Sequence, residues 1–346
     1  MKNWKQFVIG FGIAFAALYY TLHNVSMDEL AASFKTVDYI YLIPSVLIMI
    51  MSYVMRIFRW QVLISPMKTV DRSVLYSPMM VGFLANILPA RAGEFVRAYL
   101  LGKKIDLSFS GAFASIVVER LFDLIMLLLI FAWVFVFHKD VFPAELRFSG
   151  ISVQALAMKF GQFSTIMVAT IMVFIYFLVY HKERMLGWAR WITRPLPEKW
   201  REKIEYLLEE FDLGLQVVKD VPSLAKVTFY STLVWGAIVL SYYPLYFAYD
   251  LQDKSLQSLL ILTVMVCILI TVLPTPAFLG SFNAGVLIAL HNIMGETELT
   301  AVSFSMVVWT MNFMVIFVTG VYFILHDHLS VRQLVEVEEQ TENIRS

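Results

Sequence analysis

Leu88-Pro89-Ala90-Arg91-Ala92-Gly93-Glu94 breaks an otherwise apolar stretch running from Ser73 to Leu101, and Leu273-Pro274-Thr275-Pro276-Ala277-Phe278-Leu279-Gly280 breaks a second, from Ser255 to Met294. Proline removes a backbone donor and glycine frees the chain to turn, so each stretch reads as two short limbs rather than one straight helix. Each limb is short for the ~20 residues that a spanning helix needs. Re-entrant hairpins and pairs of short crossing helices both fit, because both return the chain to the side it came from. The reading adopted is a pair of re-entrant hairpins over 73–102 and 255–294, broken at Pro89 and Gly93 and at Pro274, Pro276 and Gly280.

Outward from these breaks lie six uninterrupted apolar runs near spanning length: Phe7 to Leu22, Tyr39 to Met55, Phe109 to Phe137, Leu156 to Tyr180, Val227 to Tyr249 and Val302 to Leu325. The 346 residues are 59% hydrophobic and only 16% charged. That excludes an ordinary soluble domain, in which roughly a quarter of residues are charged. The fold class is therefore an all-α polytopic integral membrane protein of six full spans plus two hairpins. The first run follows Lys2 and Lys5 in the manner of a signal peptide, but it lacks a small-x-small cleavage site and reads as an uncleaved anchor.

The order of elements repeats. Span, span, hairpin, span fills residues 1–137, and the same order fills 138–326, leaving a short tail over 327–346. The first unit starts on one side and ends on the other, and the second does the reverse, so the two form an inverted repeat. Leu-Pro at both breaks, and Ser108-Phe109-Ser110 against Ser303-Phe304-Ser305, echo this pairing weakly. Inverted repeats with broken segments in matching positions point to a transporter whose site lies between the repeats. Between the units, the polar linker 182–222 carries Ile204, Leu207, Leu208, Phe211, Leu215 and Val218 at helical spacing. It reads either as an amphipathic helix on the cytoplasmic face or as a solvated connector.

Lys+Arg and Asp+Glu are 27 each, so no global basic field exists for nucleic acid. With an inside N-terminus, 19 of the 27 basic residues fall inside and five (Lys35, Lys139, Arg147, Lys159, Lys254) outside. The positive-inside rule then puts both termini in the cytoplasm. Arg91, Arg97 and Arg120 remain at membrane depth, opposite Glu94, Glu119 and Asp123. A charge there costs roughly 2.5–3.5 kcal/mol on insertion scales, so it faces a cavity or a partner. If a helix restarts near Gly93, Arg91 lies at its N-terminal mouth, where free N–H groups and a guanidinium suit a phosphate-sized anion. Glu119 and Asp123 share a helix face at i,i+4. Two readings stay open: the six charges only neutralise one another, or an arginine is released to an anionic headgroup. Asn283 and Asn312 are read as lining the outer half of the pathway, or as packing residues. Arg56 and Arg59, beside Trp60, are read as guarding the cavity entrance, or as reaching lipid phosphates at the water interface.

Other chemistry is weakly signalled. Cys267 is the single cysteine, which excludes an internal disulfide. His326-Asp327-His328 reads as a solvated helix end, and no phosphate loop, His-Glu-x-x-His pair or nucleophile elbow occurs. Neither a metal nor a cofactor is expected.

The run Asn86-x-Leu88-Pro89-x-Arg91-x-Gly93-Glu94-x-x-Arg97, the later Glu119-Arg120-x-x-Asp123, Arg56-x-x-Arg59-Trp60 and Pro274-x-Pro276-x-x-x-Gly280 resemble the lysylphosphatidylglycerol synthase transmembrane (flippase-domain) family, over nearly the whole chain. The resemblance implies re-entrant helices, inverted repeats and movement of aminoacylated phosphatidylglycerol or a related lipid between leaflets. In fused members a soluble domain transfers lysine to the lipid; with the chain ending at Ser346 only transport is expected here.

The expectation is thus a lipid flippase or scramblase of the cell inner membrane, not an enzyme. Arg91 and Arg97 would hold the phosphate, and Glu94, Glu119 and Asp123 would hold the arginines or an amine. Expected partners are a membrane phospholipid, a separate lipid-modifying enzyme and a second copy in a homodimer; nucleic acid is not among them. Alternatives are a carrier of a small soluble anion, a carrier of polyprenyl-phosphate-linked lipid, and an intramembrane transferase with Glu119 or Asp123 as base.

Overall fold

The computed structural model describes residues 4–87, 93–137, 147–148, 151–181, 184, 187, 197, 216–217, 219–273 and 275–329. Arg91, Pro89, Pro274, most of the linker 182–222 with its anticipated amphipathic helix, and the tail beyond residue 329 lie outside them. The first half comprises α1 (Trp4–Leu22), α2 (Met27–Thr36), α3 (Leu42–Ile64), α4 (Arg72–Ala85), α5 (Gly93–Ile105) and α6 (Phe109–Phe137). The second comprises α7 (Val153–Tyr180), α8 (Val221–Ser241), the short α9 (Tyr243–Ala248), α10 (Leu256–Val272), α11 (Ser281–Leu287) and α12 (Glu298–His326). The only strands among the described residues are Arg147–Phe148 and Ile151–Ser152, one short antiparallel pair.

Phe15, Leu47, Ile166, Val318 and Leu325 are among the many large apolar residues exposed on the outside. A surface that apolar suits lipid rather than water. Among the described residues, four helical stretches, 39–64, 221–248, 276–293 and 298–326, are long and apolar enough to cross a membrane. Helix α6 is as long as α12, at 29 residues, but carries Glu119, Arg120 and Asp123. The chain is an all-α polytopic membrane protein.

Three local features depart from the sequence reading. Residues 27–36, which belong to none of the apolar runs, form α2, where Ser26 caps the helix by accepting from the Glu29 N–H at 3.2 Å. Helix α3 does not stop at Met55 but runs to Ile64. Ile57, Trp60 and Ile64, all fully buried, continue its apolar face at i, i+3 and i+7 past the two arginines. The span anticipated over 227–249 divides at Tyr242, where Pro244 opens the separate short helix α9.

Both breaks are held by specific bonds. In the first, Asn86 ends α4 and its Oδ1 accepts the Gly93 N–H at 2.9 Å, while Gly82 and Gly93 bring the limbs into backbone contact. In the second, Ala277 and Phe278 adopt left-handed backbone with φ of 51° and 58°, which L-residues adopt at a cost. The Trp309 indole N–H donates to the Ala277 carbonyl at 2.9 Å, and Gly280, at φ 85°, lies so close to α1 that a Cβ would meet the Ala14 carbonyl oxygen at 2.6 Å. The two halves also meet at the end bearing Lys68, Lys103 and Lys104. There Asp327, just past α12, accepts from Ser77 of α4 and Lys104 of α5.

Burial opposes ionisation of Asp327, but hydrogen bonds from Lys104, Ser77 and His326 outweigh it and hold the carboxyl down at about 2. With the folded value below the unfolded one, the latch stabilises above pH ~4 and is lost as the pH falls through about 2. Asp327→Asn is expected to lower the unfolding temperature by a few degrees at pH 7. The gap to the unsubstituted protein should close on acidification, in a pH series of thermal melts; a gap that persists at pH 2 would disprove the latch.

Candidate functional site

Near the centre of the molecule, α3, α5, α6 and α8 bring together a set of charges that local sequence spacing only partly links. The fully buried Arg59 of α3 reaches both acids of α6: Nη1 lies 2.7 Å from Asp123 Oδ1 and Nη2 lies 3.1 Å from Glu119 Oε1. Its Nη1 also donates to Ser231 Oγ of α8 at 3.1 Å. Arg97 of α5 lies 2.6 Å from Glu119 Oε2, with its guanidinium 3.6 Å from the Trp60 ring centroid, a cation–π contact. Arg120 Nη2 bridges Glu119 Oε1 at 2.6 Å and Asp123 Oδ2 at 3.3 Å. Arg56 touches Asp123 Oδ2 through Nη1 at 3.5 Å, and Trp235 of α8 donates to Asp123 Oδ1 at 3.3 Å.

Four guanidinium groups therefore surround two carboxylates. At the edge of the network lies a cavity of 340 Å³, onto which Arg56, Arg120, Glu94, Asn86 and Asn312 open, with Tyr53, Trp309 and Phe313 among its aromatic walls. The strained Ala277 and Phe278 of the second break also line it. Arg120 is the most open of the arginines, its side chain 40% exposed against 0% for Arg59. Both ion pairs of Arg120 use Nη2, and the single ion pair of Arg56 among the described residues uses Nη1. Among the described residues, Arg120 Nη1 and Arg56 Nη2 have no partner, and no cation lies within ion-pair distance of Glu94. The site thus presents free guanidinium donors and a net positive charge, the chemistry of an anion site with one carboxylate at its rim.

The sequence-derived residues fall into three groups. Glu94, Arg120, Asn312 and Arg56 face the cavity. Arg97, Glu119 and Asp123 are buried in the network behind it. Arg59 is neither at an entrance nor at a water interface: it is the centre of the network, because α3 continues past it as helix. Asn283 does not line the cavity. It is fully buried, its Oδ1 accepting the Gly280 N–H at 3.0 Å and its Nδ2 donating to Ser305 Oγ at 3.0 Å, so it caps the second break. Ser231, Trp235 and Tyr53 were not anticipated. Trp60 carried a signal, standing next to Arg59, whereas Ser231 and Trp235 share only an i,i+4 face of an uncharged stretch.

Comparison with known proteins finds membrane proteins. The chain is 27% identical over 203 residues to a UPF0104 membrane protein of Methanocaldococcus jannaschii, covering 57% of this chain and 74% of that protein. It is 23% identical over 337 residues to a UPF0104 membrane protein of Methanothermobacter thermautotrophicus, covering 93% and 95%. No solved structure matches. The family model of the lysylphosphatidylglycerol synthase TM region matches residues 7–320, and the chain accordingly belongs to that family.

Proposed function

We propose that the protein is a transporter of the cytoplasmic membrane that moves a lipid with an anionic headgroup between leaflets, and that it catalyses no covalent chemistry. The observation that carries this reading is the charge imbalance: Arg56, Arg59, Arg97 and Arg120 converge on Glu119 and Asp123, and the free guanidinium donors open onto the cavity. An uncompensated cation inside a membrane protein is costly, and a lipid phosphate supplies both the missing charge and acceptors for the donors. In this reading the two halves of the chain are inverted repeats with both termini cytoplasmic, the hairpins meet at the cavity, and the headgroup crosses between them while the hydrocarbon stays in lipid. Aminoacylated phosphatidylglycerol, a polyprenyl phosphate or a glycosylated lipid that carries a phosphate would each satisfy the arginines.

The test is transfer of labelled phosphatidylglycerol between leaflets of proteoliposomes. Arg56→Ala combined with Arg120→Ala removes the two cavity-facing guanidiniums, and with each charged hydrogen bond worth about 1.5–3 kcal/mol the initial rate should fall at least tenfold. An unchanged rate would overturn the assignment. So would uptake of phosphate ions with no lipid transfer, which favours a carrier of soluble anions.

A further inference from the structure

Helices α3 and α12 wall two separate spaces. On one side Met49, Tyr53 and Arg56 of α3 and Trp309, Phe313 and Ile316 of α12 line the central cavity. On the other, Leu42, Val46 and Ile50 of α3 and Thr310, Met314 and Val318 of α12 line a groove of 580 Å³. The groove rows run at i, i+4 on each helix, and at about 100° per residue the cavity rows are turned from them by about 55° around the axis of α3 and about 130° around that of α12. Cavity and groove therefore stand back to back, parted only by the seam where α3 meets α12.

That seam is sparse. Helix α3 packs along its length on α8 and meets α12 at few positions. Among the described residues no hydrogen bond, ion pair or ring contact crosses it. Polar bonds fasten α12 elsewhere: Asn24 donates to Glu298 at 3.1 Å at one end, Asp327 holds the other, and Trp309 holds the second break. Parting α3 from α12 at mid-length breaks none of these.

The groove is apolar and open outward, with Ile50, Met314 and Val318 at 41%, 47% and 57% exposure. Of its three hydroxyl-bearing side chains, Thr319 turns its hydroxyl to the Val315 carbonyl of its own helix at 2.5 Å and Tyr39 donates its hydroxyl to the Phe34 carbonyl at 2.8 Å. A soluble anion has no use for such a surface, whereas a lipid whose phosphate answers the cavity charge carries hydrocarbon that must lie beside it. We infer that the α3–α12 seam is the lateral portal of the protein, with one hydrocarbon chain of the lipid lying in the groove while its phosphate occupies the cavity. This rests on the proposed lipid-transport reading.

The test uses the full chain in proteoliposomes, with Ile50→Cys and Met314→Cys in a Cys267→Ser background, and a bis-methanethiosulfonate linker that thiols remove. The transfer rate of labelled phosphatidylglycerol before linking is the reference. Linking should lower it at least tenfold, and reduction should restore it, which rules out unfolding as the cause. A phosphatidylglycerol with a diazirine in its acyl chain should label peptides containing 42–50 and 306–319, in competition with unlabelled lipid. Transfer that persists after complete linking, or label confined to other helices, would overturn the portal and leave the transport reading standing. A protein that moves no lipid before linking would overturn both.

Discussion

Glu119→Gln is expected to cost about 3–5 kcal/mol of folding stability, the range for breaking a buried ion pair at one partner. Glu119 is completely buried and receives Arg59 at 3.1 Å, Arg97 at 2.6 Å and Arg120 at 2.6 Å. The amide keeps the shape of the side chain but loses the charge, and turns an N–H₂ donor toward one of those guanidiniums. Asp123 is then the one carboxylate among the described residues within ion-pair distance of Arg56, Arg59 and Arg120, and Arg97 has none. Removing a cation should repair part of the damage. Arg97→Met leaves Arg59 and Arg120 on the amide, and the double variant is expected to be more stable than Glu119→Gln by itself. A double-mutant cycle in detergent unfolding measures that coupling. If Glu119→Gln unfolds within about 1 kcal/mol of the unsubstituted protein, in the range of an ordinary substitution, the carboxylate is not the hub of the network.

The sequence made some of this arrangement legible and concealed the rest, for physical reasons. Proline and glycine mark both breaks because they act on the local backbone, and each break is found between the limbs that the sequence outlines. Glu119 and Asp123 announce themselves as charges in an apolar run, and their i,i+4 spacing puts them on one face. Arg59 was concealed because hydropathy is a local average: Arg56 ends the apolar run at Met55, although the helix continues to Ile64. Its partners lie 60 and 64 residues away, a distance that no periodicity encodes. The consequence for charge is large. Counting only Arg91, Arg97 and Arg120 at depth gives a balance with three acids. Bringing Arg56 and Arg59 into the cluster tips it positive, which is what suits the cavity to the anion proposed above. Asn283 illustrates the converse: a polar residue in an apolar stretch draws notice, but here its amide is used up by the Gly280 N–H and Ser305.

Gly93→Ala should be the most damaging single-methyl change in the chain. A Cβ at Gly93 would lie 2.1 Å from the Gly82 carbonyl oxygen and 2.4 Å from Asn86 Oδ1. Neither can step aside cheaply. The Gly82 carbonyl is α4 backbone and accepts the Asn86 N–H at 3.2 Å, and Asn86 Oδ1 holds the Gly93 N–H at the start of α5. Relief therefore requires the two limbs of the hairpin to part. Because α5 carries Glu94 and Arg97, parting withdraws one carboxylate from the cavity rim and pulls Arg97 away from Glu119 and the Trp60 ring. Overpacking of this kind costs about 1–3 kcal/mol and occasionally more, and the lost ion pair adds to it. Lipid transfer should fall at least tenfold. Gly236→Ala in α8 is the matched control, since nothing lies within 4 Å of a Cβ there and alanine in a helix is favoured over glycine by about 0.5–1 kcal/mol. That variant should be as stable as the unsubstituted protein or more so. A Gly93→Ala protein that melts and transports like Gly236→Ala would show that the limbs of the first hairpin do not pack in contact, and that Arg97 reaches Glu119 without being held there by α4.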